Sequence, residues 1–161
     1  MNLKSFVAGF LLCAAPIFAQ TADPDVEALL APARAECADY DAGVVSVDDR
    51  AVQRVDITGD GASELFVDER FITCSTVAGL RSGTGGWVLH VLAAGQAQDW
   101  QMLEWSVIGW QPDPGYPAQK VLLLAKHGSQ CGMAGSSPCV EAVVWSVDDK
   151  AFVSTNRTEA E

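Results

Sequence analysis

From residue 43 onward the apolar residues fall at every second position, and the stretches between them carry turn chemistry. Runs of β-formers occupy 43–47, 51–57, 64–69, 86–93, 99–109, 119–126, 139–147 and 151–155. They are separated by Asp48-Asp49, Gly59-Asp60-Gly61, Gly83-Thr84-Gly85-Gly86, Gly95-Gln96, Pro112-Asp113-Pro114-Gly115 and Asp148-Asp149. No helical pattern lies between these runs, so the strands are joined by short loops and must pair antiparallel. The expectation is a mainly β fold. A faint internal echo sharpens it. ELFVDERFIT (64–73) ends in Cys74 and VLLLAKHGSQ (121–130) ends in Cys131, each followed by a Gly-rich loop and further strands. This reads as two four-stranded, blade-like meanders. Two units are too few for a propeller, so they pack face to face or merge into one curved sheet.

Ahead of the strands the period is that of a helix. Val26, Leu29, Leu30, Ala33 and Cys37 recur at three- and four-residue steps. Asp23 is placed to cap this helix, Pro24 suits its first position, and Asp25 and Glu27 lie in its first turn. The helix is expected over 25–38, with Pro32 as a kink.

Residues 1–19 have the form of a signal peptide: Lys4, the apolar run FVAGFLLCAA, Pro16, and Ala19 at the cut. That run is shorter than the ~20 residues a membrane span needs. Cys13 invites a lipoprotein reading, but Leu12 is too large for the residue before a lipidated Cys. Residues 20–161 are then one exported domain, periplasmic or secreted, with no membrane insertion after cleavage. Without Cys13 four cysteines remain, which in an oxidising compartment implies two disulfides and allows three connectivities. Cys131 and Cys139 flank the turn-rich GMAGSSP and are the easiest pair to join, which leaves Cys37 with Cys74. Zinc wants closer Cys pairs than these, and a bridged Cys supplies no thiolate for catalysis.

Charge narrows the partners. The 161-residue chain has 21 acidic and 10 basic side chains, a net −11. Loss of Lys4 leaves nine basic groups and a net of −12. Nucleic acid and anionic membrane both need clustered Lys and Arg. Thirteen of the acids lie between Asp23 and Glu69, as a solvated face or as an attraction for a cation.

One segment has metal-site spacing. In DITGDGASELFVD (56–68), Asp56, Thr58, Asp60 and Glu64 fall at positions 1, 3, 5 and 9 of a calcium loop. Gly61 falls at the sharp turn and the Ala62 carbonyl at position 7. Position 12 is Val67 and a strand follows, so this is a strand–loop–strand arrangement and not an EF-hand. The alternative is a metal-free hairpin whose Asp side chains bond their own backbone.

Asp-x-x-Gly-Asp-Gly-x-x-Glu-Leu-x-Val resembles the hairpin of FG-GAP/VCBS-type repeats over residues 51–68. The resemblance implies Asp56, Asp60 and Glu64 as carboxylate ligands of Ca2+. Thr58 stands where those repeats carry Asn or Asp. The chain also resembles a set of uncharacterised exported proteins of Gram-negative bacteria, through Ser82-Gly83-Thr84-Gly85-Gly86-Trp87, His127-Gly128-Ser129-Gln130-Cys131-Gly132, Cys139 and Trp145. The resemblance implies an envelope location and no activity. Those proteins carry an extra Cys pair in the Gly-rich loop, where this chain has Ser82 and Trp87.

The remaining candidates are His90, His127 and five tryptophans. Alternation puts His90 on the face opposite Leu89 and Val91. His127 lies beside Ser129, but no Gly-x-Ser-x-Gly turn is present, and its simpler role is to satisfy backbone at the loop entrance. Trp100, Trp105 and Trp110 recur every five residues, so in one continuous strand Trp105 points away from the other two. With Trp87 and Trp145 they serve as core or, if exposed, as a stacking strip for sugars. Asn156-Arg157-Thr158 has a sequon's form, which carries no meaning in a bacterial chain. The sequence therefore predicts a non-enzymatic exported structural or binding module with a candidate structural Ca2+ site at the GDG hairpin, and a glycan- or envelope-ligand-binding module as the alternative.

Overall fold

A computed structural model describes residues 23–110, 119–135 and 137–155. The signal-like segment with Cys13, the Pro112–Gly115 turn and the 156–158 sequon lie outside these. The described chain is mainly β, with antiparallel sheets and one N-terminal helix. Helix α1 spans Pro24–Asp39. Asp23 caps it by accepting from the Asp25 N–H at 3.0 Å, and Pro24 opens its first turn. Pro32 sits inside this one continuous element rather than dividing it. Leu30, Ala33 and Cys37 form the buried stripe.

Ten strands follow. β1 (Val45–Val47) pairs with β4 (Ile72–Cys74) in a two-stranded ribbon. β2 (Val52–Val55), β3 (Glu64–Asp68), β5 (Trp87–Ala93) and β6 (Gln96–Met102) make the first four-stranded sheet, in the order β2-β3-β5-β6. β7 (Glu104–Trp110), β8 (Gln119–Lys126), β9 (Cys139–Ser146) and β10 (Ala151–Ser154) make the second, each strand beside its sequence neighbour.

The two four-stranded units are thus present, with corrected membership. The run 99–109 is not one strand. It breaks at Leu103, and β6 belongs to the first sheet while β7 opens the second. The 43–47 strand is shorter than expected and stands outside both sheets. The 64–73 run is interrupted by a 3-10 turn at Glu69–Phe71 before β4.

The sheets pack face to face. Phe66, Leu89, Val91 and Met102 from the first meet Leu122, Leu124, Val143 and Phe152 from the second. The other face of the first sheet, with Leu65 and Val67, is covered by Leu30 of α1 together with Ala51 and Ile72. The first sheet is therefore a middle layer, and all five residues of β3 are buried. Burial of Leu30 alone is worth about 2 kcal/mol.

Both disulfides join the expected partners: Cys37–Cys74 fastens α1 to β4 (Cα–Cα 5.7 Å), and Cys131–Cys139 closes the β8–β9 connection (Cα–Cα 6.5 Å). Gly43 rests on the first bridge, since a Cβ there would stand 2.8 Å from Cys74 Sγ.

Candidate functional site

The Gly59-Asp60-Gly61 hairpin joins β2 to β3 at one pole of the sandwich. Gly59 and Gly61 adopt φ of +79° and +89°, which favours glycine. Asp56 Oδ1 accepts from the Gly59 N–H at 2.8 Å, and Asp60 Oδ1 from the Ala62 N–H at 2.8 Å. Buried Glu64 folds back over the loop. Its Oε2 accepts from the N–H groups of Ile57 (2.8 Å) and Thr58 (3.2 Å), and its Oε1 from the Thr58 hydroxyl (3.2 Å). Each acid is thus engaged with the loop's own donors. Among the described residues no three His, Cys, Asp or Glu side chains converge as a metal-holding group. Calcium at this loop would have to compete with those amides for Asp56, Asp60 and Glu64.

The hairpin also forms one wall of a cleft of about 360 Å3. Ile57, Thr58, Gly59 and Asp60 face Gln119 and Lys120 of β8 and Val144, Trp145 and Val147 around the end of β9. Trp145 is half-buried, its inner edge packed on Phe152 at 5.1 Å between ring centroids, and Trp100 meets Phe152 from the first sheet at 5.5 Å. Gln98 of β6 fixes the same corner, accepting from the Phe152 N–H at 2.7 Å. The cleft therefore combines an anchored aromatic ring and aliphatic groups with a carboxylate, an amide, an ammonium and a hydroxyl. Pockets of 300–1,000 Å3 with this mixture are typical of small-ligand sites.

A second polar cluster escaped the sequence reading. On the α1-facing side of the first sheet, His90 Nε2 lies 2.9 Å from Glu69 Oε1, and Nδ1 lies 2.8 Å from Asp99 Oδ1. Arg81 Nε donates to the same Glu69 oxygen at 2.8 Å, and its Nη1 reaches Glu36 of α1 at 3.4 Å. Arg81 holds the left-handed φ of +60° while doing so. Burial alone would lower the His90 pKa, but the hydrogen bonds to Glu69 and Asp99 outweigh it and raise the value. Acceptors at both ring nitrogens suit the doubly protonated imidazolium. Glu69 Oε2 is buried and has no partner among the described residues. These contacts join α1, the 75–86 loop and the first sheet as a clamp.

Between the sheets, buried Asp68 accepts from Arg70 Nη2 at 2.7 Å and from Trp105 Nε1 at 2.7 Å. The signal available in the sequence was parity: Asp68 stands on the same strand face as Phe66, where a core residue is expected.

The other candidates settle into structural places. His127 caps the 3-10 turn Gly128–Cys131, with Nδ1 2.7 Å from Ser129 Oγ. Trp100, Trp105 and Trp145 all pack against the inter-sheet core. Trp105 does not turn away from Trp100, because the break at Leu103 puts the two on facing sheets. The Trp110 side chain lies outside what is described. The 82–86 loop lies at the opposite pole, where Gly85 O accepts from Gln130 Nε2 at 3.2 Å. No family model, no curated protein and no solved structure matches this chain.

Proposed function

We propose that this is an exported, non-enzymatic binding module, periplasmic or secreted, that takes a polyhydroxylated ligand such as an envelope glycan. The ligand site is the cleft between the GDG hairpin and the ends of β8 and β9. The observation that carries the reading is the chemistry of its walls: Trp145 offers a ring to stack a sugar face, and Asp60, Thr58, Gln119 and Lys120 offer hydrogen bonds to hydroxyls. Tryptophan fluorescence titrated with soluble peptidoglycan fragments and oligosaccharides tests it. A saturable change is expected, weakened at least ten-fold in Lys120→Ala and Asp60→Ala. An unchanged spectrum across the panel overturns the reading.

A second reading, from the hairpin's resemblance to FG-GAP/VCBS repeats, is a structural Ca2+ held by Asp56, Thr58, Asp60, the Ala62 carbonyl and Glu64. It is favoured by the spacing of these five groups over nine residues, 56–64. Here the melting temperature rises with calcium and falls with chelator, and Asp60→Ala loses the response. No calcium response in the parent protein sinks the ion.

A further inference from the structure

The inward face of the second sheet carries a cation without a counter-charge. Leu122 and Leu124 of β8 point into the core, and strand parity puts Lys120 and Lys126 on the same face, at its two ends. Both are partly buried. At one pole Lys126 Nζ donates to Glu141 Oε2 at 2.7 Å. Arg70 and Arg81, the other partly buried cations among the described residues, meet Asp68 at 2.7 Å and Glu69 at 2.8 Å. Lys120 alone of these four meets no carboxylate among the described residues, in a chain with 21 acidic and 10 basic side chains. Withdrawing an unpaired cation from water costs stability, and a bound anion would offset that cost.

The surroundings of Lys120 are those of a ligand site. Gly109 of β7 lies directly across from it, and a Cβ there would meet nothing within 4 Å. On the other side Val121 pairs with Val144, so the next residues along, Lys120 and Trp145, stand beside each other, and Trp145 is opposite Phe152. The ammonium therefore lies between an open position and an indole, on the wall of the cleft that faces Asp60.

We propose that the ligand of this cleft is an acidic sugar, a uronate or another unit that bears one carboxylate. The inference rests on the glycan reading of the cleft and adds the charge of the ligand. Trp145 stacks the sugar ring, and Lys120 Nζ donates a charge-assisted hydrogen bond to the carboxylate. Thr58 and Asp60, whose Oδ1 already accepts from the Ala62 N–H, are left for hydroxyls. One carboxylate matches one ammonium. A phosphate ester carries up to a second negative charge, which would meet Asp60 across the cleft and no second cation.

Tryptophan fluorescence titrated with oligogalacturonate, oligoglucuronate and oligomannuronate, each as free acid and as methyl ester, tests this at about 20 mM salt, where charges are little screened. At least one free acid is expected to bind ten-fold or more tightly than its ester, against the protein's own net charge of −11. Lys120→Gln should bring that ratio to within about three-fold, whereas Arg34→Gln on α1, which removes the same charge, leaves it unchanged. Circular dichroism identifies a variant that fails to fold, and the near-isosteric Lys120→Met then carries the test. An ester bound as tightly as its acid overturns the acidic ligand and leaves the cleft reading standing. So does a preference for the acid that survives loss of Lys120, or displacement of bound uronate by inorganic phosphate but not by chloride at equal ionic strength. No spectral change with any oligomer in either form removes the cleft reading and this inference together.

Discussion

Trp105 Nε1 donates to Asp68 Oδ2 at 2.7 Å, and this bond ties the first strand of the second sheet to the middle layer. Asp68 is 1% exposed. The charge is tolerable there because Arg70 meets both carboxylate oxygens while its Nη1 donates to Leu103 O at 3.3 Å. The two sheets therefore share a polar rivet beside the place where the chain passes between them.

Trp105→Phe keeps the ring volume near Phe66 but removes the donor. A hydrogen bond to a charged acceptor contributes about 1.5–3 kcal/mol, and urea unfolding should show a loss of that size. Asp68→Ala strands Arg70 as well and should cost more, about 3–5 kcal/mol. Equal losses in the two variants would contradict the shared role of the carboxylate.

The His90 clamp makes stability fall as pH rises. Its folded pKa is raised above the ordinary 6.5, so the folded state holds the proton more tightly than the unfolded one. The contribution is complete below about 6.5 and is lost as pH climbs through the raised folded value. Melting temperature followed from pH 6 to 9 should decline through this window, and the decline should flatten in His90→Gln. An unaltered slope in that variant would remove His90 as its source.

The two bridges should differ in worth. Cys37–Cys74 spans 37 residues of sequence separation and Cys131–Cys139 spans 8. On loop entropy, removing the first as a Ser pair costs about 4 kcal/mol and removing the second about 2.5 kcal/mol. Chemical denaturation of the two double variants checks the order.

Gly86 and Gly109 make a contrasting pair. Gly86 has φ +99°, and an added Cβ would collide with the Met102 carbonyl. Gly109 has open space at the same atom. Gly86→Ala should lose about 2 kcal/mol or more, whereas Gly109→Ala should stay within about 0.5 kcal/mol of the parent. Thermal unfolding of both distinguishes them.

The sheets were legible because period-two patterning and Gly/Asp turns are strong local signals, and the bridges because spacing limits which cysteines can meet. The passage at Leu103 was not. Gln101-Met102-Leu103-Glu104 has neither Gly nor Pro, and one residue makes the turn, pinned by Leu103 N–H to Ala125 O at 2.7 Å. β4 was too short to announce itself. The clamp was hidden for a different reason. Asp99, Glu69 and Arg81 come from three separate elements, and the burial that gives His90 its company arises only once α1 covers the sheet. The hairpin's own pattern was readable, yet the wall opposite it comes from β8 and β9, some sixty and ninety residues downstream.

The single crossing at Leu103 also divides the labour of folding. The second sheet is an up-and-down path, and in the first only the β3–β5 pair closes around an excursion, through β4 of the ribbon, so most pairing within a sheet carries little loop-closure entropy. Neither sheet is complete by itself, because each contributes only one wall of the inter-sheet core. The cooperative unit is thus the whole domain: early pairing is local, while the reward for it arrives only when residues on either side of position 103 fold onto each other.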